Sequence, residues 1–303
     1  MTTHVRPVVV GLGELLWDIF PDGKRPGGAP ANVAFQASQL GCQGVLATRV
    51  GNDALGHELL AQLKDCQLDL SEVQMDPQAP TGTVTVELQD GHPSYVIHEE
   101  VAWDRLELTA GLTRLMQQAG AVCFGTLAQR HAISRTTIHQ ALAATRPDCL
   151  RVYDINLRQH YYAPDWIKDS LRLSGLFKLN HEEVEPVAGL LQCESDPVKF
   201  ARTILEKHGP TVVCITRGAH GCLVVSHDEV HDIPGRAVKV ADTVGAGDAF
   251  TAGFIVARLR GWALGLAGEF ANCVGAMVAA RQGAMPNLQR EFSRLIEQYD
   301  PAI

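Results

Sequence analysis

Residues Asp242 to Phe250 read DTVGAGDAF, and an apolar-periodic stretch, AFTAGFIVARL, runs on from them. That stretch predicts a helix over 247–258, so Gly245, Ala246 and Gly247 fall where first-turn N–H groups lack an intrahelical acceptor. Free N–H groups and the macrodipole behind them both favour an anion. Asp248 stands beside that cradle with a carboxylate that can take a proton. An anion cradle next to a lone acid suits phosphoryl transfer to a hydroxyl. The same aspartate serves equally well as a helix cap.

Five further places carry residues of the right type. In PGGAPANVAFQASQLG (26–41), Gly27 and Gly28 let backbone approach a ligand just before a helix that Pro30 can open. Asn32 there offers a donor and an acceptor, as a sugar hydroxyl requires, though the segment also reads as an ordinary turn. Asp18 follows the strand at 8–11, past its carboxyl end, where ligands collect in open α/β sheets; it reads equally as a solvated loop acid. In KLNHEEVE, Asn180 and Glu183 lie three apart across a strand-to-helix boundary. They suit a magnesium ion that keeps its waters, or simply a capping box. Thr216, Gly218 and Gly221 in TRGAHGC would bring backbone near a nucleotide, or merely connect two strands. In DINLR, Asp154, Asn156 and Arg158 end another strand, and the guanidinium fork of Arg158 suits an oxygen-rich ligand.

The elements that must position these residues alternate along the chain. Short β-branched runs predict strands at 8–11, 45–50, 121–125, 150–154, 176–180 and 211–216. Helical patterns lie between them near 29–40, 55–65, 109–118, 131–145, 165–173, 182–191 and 197–208, and again at 247–258, 263–280 and 288–297. Alternation of this kind indicates a mostly parallel sheet covered on both faces. TGTVTVEL (81–88) and SYVIH (94–98), joined through Asp90-Gly91, interrupt it as a hairpin, either a lid or an edge extension of the main sheet.

Apolar residues make up 46% of the 303, enough for a sizeable core, and no stretch has the length of a membrane span. The formal net charge of −8 without a basic run argues against nucleic acid and anionic membrane as partners. The N-terminal stretch reads as no secretory signal. Eight scattered cysteines without a CxxC pair read as reduced thiols of a cytoplasmic protein. GLGELL (11–16) lacks the third glycine of a dinucleotide fingerprint, and VGNDALGHE (50–58) has His57 where a P-loop needs lysine. HDEVH (227–231) is not the zinc-protease motif.

GGAPANVAFQASQLG and DTVGAGDAF together resemble the two signatures of the ribokinase/PfkB family of sugar kinases. NHEE is similar to that family's N-x-x-E element, TRGAHG to its nucleotide-binding stretch, and VGNDALG to a structural element, in matching order over almost the whole chain. The resemblance implies a three-layer α/β/α ribokinase-like fold with a central mostly parallel sheet. It also implies a single domain over 1–303, with a small β-lid inserted at about 14–25 and 81–103. It makes Asp248 the general base and Gly245, Ala246 and Gly247 the anion hole. Asp18, Gly28, Asn32 and Arg158 bind the sugar, and Thr216, Gly218, Gly221 and Asn272 bind the nucleotide. The implied cofactors are ATP and Mg2+, the metal near Asn180 and Glu183, with a K+ ion near Asp242, Val244 and Gly283. Relatives often pair through their lids, so a homodimer of that kind is an expectation.

GELLWDIFP, GGAPAN and DINLR resemble the fructokinase branch most, which points to ATP-dependent phosphorylation of fructose. The acidic stretch HPSYVIHEEVAWD disfavours a phosphosugar, and it departs from fructokinases that carry a basic residue there. The alternatives are 2-keto-3-deoxygluconate kinase, whose substrate carboxylate Arg158 would pair, and ribokinase or a nucleoside kinase. A silent sugar-binding protein on the same fold is the reading from a different class.

Overall fold

The computed structural model describes residues 6–89 and 92–300. Nine strands form one sheet in the order β13-β12-β11-β10-β9-β8-β1-β4-β5. They are β1 (Val8–Leu12), β4 (Gln43–Gly51), β5 (Asp69–Asp76), β8 (Ala121–Phe124), β9 (Leu150–Asp154), β10 (Leu176–Asn180), β11 (Val212–Thr216), β12 (Cys222–Ser226) and β13 (Val230–Ile233). All neighbours are parallel except β11–β12 and β12–β13.

Period-two alternation in these strands divides the core into two faces. Val10, Val122, Phe124, Tyr153, Phe177 and Val213 pack with α3 (Ala110–Gln118), α4 (Ala132–Ala143), α5 (Pro164–Leu173), α6 (His181–Leu191) and α7 (Pro197–His208). Val9, Cys123, Val152, Leu176 and Cys214 pack with α1 (Ala29–Gln39), α8 (Ala246–Leu259), α9 (Leu264–Ala279) and α10 (Gln289–Tyr299). The result is the expected three-layer arrangement. Burial on both faces explains why the parallel strands read as nearly unbroken apolar runs.

A second sheet, β3-β2-β6-β7, is built from β2 (Leu16–Phe20), β3 (Gly23–Gly27), β6 (Gly82–Gln89) and β7 (His92–Ile97). The hairpin expected near 81–98 is present as the antiparallel β6–β7 pair, while its Asp90-Gly91 turn lies outside the described residues. The hairpin belongs to this small sheet rather than to an edge of the main one. Asp18 is not on a loop: it sits in β2, flanked by Arg25 on one side and Val84 on the other. The VGNDALG element is a structural clasp. Asp53 caps α2 (Ala54–Asp65) through the Gly56 N–H at 2.7 Å and accepts the Thr81 hydroxyl at 2.7 Å, tying the start of β6 to that helix.

Topology decides where the site falls. From β1 the chain moves one way to β4 and β5, then returns to β8 on the other flank. The carboxyl ends of β1 and β8 therefore open at the reversal of strand order, which is where ligands bind in such sheets. Helix α1 fixes the opposite end of the chain to this place. Gln36 Nε2 donates to the Ala284 carbonyl at 2.9 Å, and the Leu288 N–H donates to Gln39 Oε1 at 2.6 Å.

Candidate functional site

A cavity of about 980 Å3 lies at that reversal, between the two sheets. It is lined by Asp18 of β2, Gly27 and Gly28 before α1, Asn32, Arg158 after β9, and residues 242–245, 247–248 and 282–285. Asp18, Gly28, Asn32, Arg158, Asp242, Val244, Gly245, Gly247, Asp248 and Gly283 thus all meet in one place.

Local geometry accounts for the glycines. Gly245 caps α8 in the left-handed region at φ 75°, and a Cβ on it would lie 2.5 Å from Ala284 Cβ. Gly28, at φ 125°, passes so close to the Glu14 carbonyl that a Cβ would lie 2.5 Å from its oxygen. No side chain caps α8. Of its first N–H groups, that of Ala246 donates to the Thr243 carbonyl at 3.2 Å, and Ala246 is absent from the cavity lining. Gly245 and Gly247, rather than Ala246, therefore face the cavity where the sequence expectation put an anion cradle.

Asn32 Nδ2 donates to Asp248 Oδ2 at 2.7 Å, which fixes the carboxylate in the cavity. Burial pushes the Asp248 carboxyl up to about 6, and the nearby Asp154 charge pushes the same way; the Asn32 amide, Lys178 and Arg158 hold it down. A carboxylate raised to that range is a competent base near neutral pH. Burial also raises Asp18, with Arg158 opposing it.

Beneath the cradle lies a pair that the sequence reading did not assemble. Lys178 of β10 and Asp154 of β9 are cross-strand neighbours, 3.0 Å apart, with side chains 5% and 2% exposed. Thr251 of α8 donates to the other Asp154 oxygen at 2.8 Å. Burial works against the Lys178 ammonium, yet Asp154, Glu183 and Asp248 hold its pKa above the ordinary value. A Cβ on Gly247 would come within 3.3 Å of Lys178 Nζ, so a buried cation stands directly behind the helix start. The available signal was a lone lysine in the otherwise apolar run LFKLN.

Asn180 and Glu183 form the capping box of α6. Asn180 Oδ1 accepts the Glu183 N–H at 3.0 Å, and Glu183 Oε2 accepts the Asn180 N–H at 2.8 Å. Glu183 Oε1 also accepts the Leu157 N–H at 2.8 Å, so both its oxygens hold backbone in place. Asp242 clasps its own turn: Oδ1 accepts the Val244 N–H and Oδ2 the Gly283 N–H, both at 3.0 Å. Among the described residues no three His, Cys, Asp or Glu side chains converge as a metal ion would need.

Thr216, Gly218, Gly221 and Asn272 lie outside the cavity lining, toward the β12–β13 edge. Thr216 ends β11 opposite Asn180, and Asn272 Nδ2 reaches the Pro234 carbonyl at 3.3 Å. Gly218 takes φ 55° with open space where a Cβ would stand, as close ligand approach requires. Gly221 has a structural reason of its own, since a Cβ there would collide with the Ile233 carbonyl.

This geometry agrees with comparisons to known proteins. The family model for pfkB family carbohydrate kinases matches residues 16–290. A Pyrococcus horikoshii protein described as a "putative sugar kinase" is 31% identical over 296 residues, covering 91% of both chains. The structure of an uncharacterized sugar kinase from that organism in complex with ATP has a TM-score of 0.81 at 28% identity, covering 95% of this chain and 99% of that one. Fructokinase-1 of Zea mays is 30% identical over 324 residues, 97% of this chain and 98% of its own. A fructokinase from Vibrio cholerae O395 in fructose-, ADP- and calcium-bound form has a TM-score of 0.79 at 26% identity, covering 97% and 99%. No helix among the described residues is long and apolar enough to cross a membrane. With a match of this extent laid over an acid, a glycine-capped helix start and a switch-point cavity, the chain belongs to the pfkB family of carbohydrate kinases and is an ATP-dependent phosphotransferase.

Proposed function

We propose that the protein is a fructokinase, transferring the terminal phosphoryl group of ATP to a hydroxyl of D-fructose. The observation that carries the reaction is the 2.7 Å bond from Asn32 to Asp248 beside the α8 start. The choice of fructose draws support from the extent of similarity to the maize fructokinase. In this reading Asp248 accepts the proton of the sugar hydroxyl. The hydroxyl oxygen forms a bond to the γ-phosphorus while the bond from that phosphorus to the ADP oxygen breaks, its electron pair leaving with ADP. Sugar and ATP become sugar phosphate, ADP and a proton. Gly245 and Gly247 offer N–H groups to the moving phosphoryl oxygens, and Lys178 adds positive charge from behind.

Asp18, Gly28 and Arg158 line the acceptor side. The β11 end and α9 supply the nucleotide side through Thr216, Gly218 and Asn272. Magnesium fits as an ion carried mainly by ATP's phosphates, with Glu183 reaching it through water because both its oxygens are bound to backbone. The Asp242, Val244 and Gly283 turn is the proposed place for a monovalent cation. The small sheet acts as a lid over the sugar, expelling water so that ATP is transferred rather than hydrolysed.

The test is ADP release measured with fructose, ribose, glucose, 2-keto-3-deoxygluconate, fructose 6-phosphate and adenosine. Fructose should give the highest kcat/KM. A preference of about tenfold or more for another acceptor would replace fructose.

A further inference from the structure

Glu14 lies in the connection between β1 and β2, is 6% exposed, and lines the same cavity. Its Oε2 has no hydrogen-bond partner. Two other buried atoms of the lining share that condition, Asn32 Oδ1 and Asn156 Nδ2. A buried polar atom left unpaired is costly, so three around one cavity point to a polar occupant. Their chemistry is complementary: the Asn32 oxygen accepts, the Asn156 nitrogen donates, and a carboxyl does either according to its proton. Sugar hydroxyls donate and accept at once. Asn156 holds φ 40°, a left-handed conformation that a short amide side chain tolerates, so this loop has a defined shape.

Burial pushes the Glu14 carboxyl up to about 7. Its own backbone, Arg158 and the Ala29 backbone hold it down, and Asp248 holds it up. Of the two carboxyls, Asp248 is bonded to Asn32 and lies at the anion cradle, whereas Glu14 Oε2 is unengaged. The proton-accepting task falls to the first, which leaves the second for recognition.

We propose that Glu14 reads the acceptor sugar, hydrogen-bonding through Oε2 to a hydroxyl other than the one that is phosphorylated, with Asn32 Oδ1 and Asn156 Nδ2 completing the set. This rests on the acceptor-site reading above. Removing the Glu14 carboxyl takes away one partner of that hydroxyl and leaves the reacting groups in place.

The experiment compares wild type, Glu14→Ala and Glu14→Asp on the best acceptor of the panel and on its mono-deoxy analogues, with the KM for ATP followed in parallel. Glu14→Ala should raise the sugar KM by about tenfold to a hundredfold and leave the ATP KM unchanged. One deoxy analogue that is poor for the wild type should be no poorer than the parent sugar for Glu14→Ala. A wild-type sugar KM in Glu14→Ala, or an unchanged penalty on every analogue, overturns the assignment while leaving the kinase site intact. If Glu14→Ala does not fold, the shorter Glu14→Asp carries the test, with the same analogue-selective loss expected and its absence decisive. A wild type that phosphorylates no sugar in the panel would instead overturn the acceptor-site reading.

Discussion

The two sheets meet at the cavity but contribute to it on different terms. The nine-stranded sheet is buried on both faces, and it presents its polar groups already paired: Lys178 with Asp154, Asp154 with Thr251, Glu183 with two backbone N–H groups. The four-stranded sheet brings Asp18 and the half-exposed Tyr95 to the same cavity without such a network. Charge that must not move during the reaction stands on the over-determined platform. Of the groups proposed to meet the sugar, Asp18, Glu14 and Gly28 stand on the smaller sheet and its connections, whereas Asn156 and Arg158 follow β9 and Asn32 lies in α1. The larger sheet is therefore expected to set the rate, and the smaller sheet to contribute to the choice of sugar together with the loop after β9.

The sharpest way to break this contrast is at the base. Asp248→Asn should lower kcat by about 10²–10⁴-fold while sugar and ATP dissociation constants stay near wild type in direct binding measurements. The same variant should be the more stable protein at alkaline pH. The folded Asp248 pKa, about 6, lies above the ordinary 3.8, so the folded state binds more protons between about pH 4 and 6. Stability from this group is thus present below that window and lost as pH rises through it. Asparagine cannot ionise, and a gain on the order of 3 kcal/mol is expected at pH 8, with almost none at pH 4, in urea melts.

Within the platform, Lys178→Met leaves Asp154 buried without its cation and should cost about 3–5 kcal/mol of folding free energy, read from the urea midpoint. On the small sheet, deletion of residues 84–97 should raise sugar KM and lower kcat together, each by about tenfold, if closure excludes water. Unchanged kinetics would show that this sheet is no lid. The pH dependence is a finer probe. kcat/KM should fall below about pH 6 as Asp248 takes a proton, and Asn32→Ala, which removes a group holding that pKa down, should move the limb to higher pH. Smallest of all, Tyr95→Ala should shift stability by less than about 0.5 kcal/mol, since Tyr95 is 53% exposed, and affect only sugar KM.

The platform was legible in the sequence because burial on both faces writes itself as continuous apolar runs, and all six expected parallel strands are present within a residue or two of where the pattern placed them. β2, β3 and β5 were not. LWDIF and GKRPG are short, carry charges, glycine or proline, and are held by pairing to each other and to β6. DLSEVQMD lies at a sheet edge with most residues only partly buried, so neither period stands out. Residue pattern alone therefore leaves Asp18 readable as a loop acid, and only the family resemblance places it in a β-lid. Local motifs located Asp248, Gly245 and Asn32, since glycine spacing beside an acid needs no tertiary knowledge. Glu14 and Lys178 depend on what folds over them. Glu14 sits in GLGELL, a stretch that attracts notice for its glycines, and only the switch-point cavity gives its carboxyl a meaning.

The Asn32 amide and Asp248, the proposed base, are 216 positions apart in the chain, and the Gln36 contact to Ala284 spans 248. The carboxylate of Asp248 can therefore meet its partner only after the whole stretch from β1 to α8 has been translated. Fragments truncated before α8 can build much of the sheet but no catalyst. By the proposed route, a nascent chain that has not yet reached α8 consumes no ATP, since it lacks the proposed base.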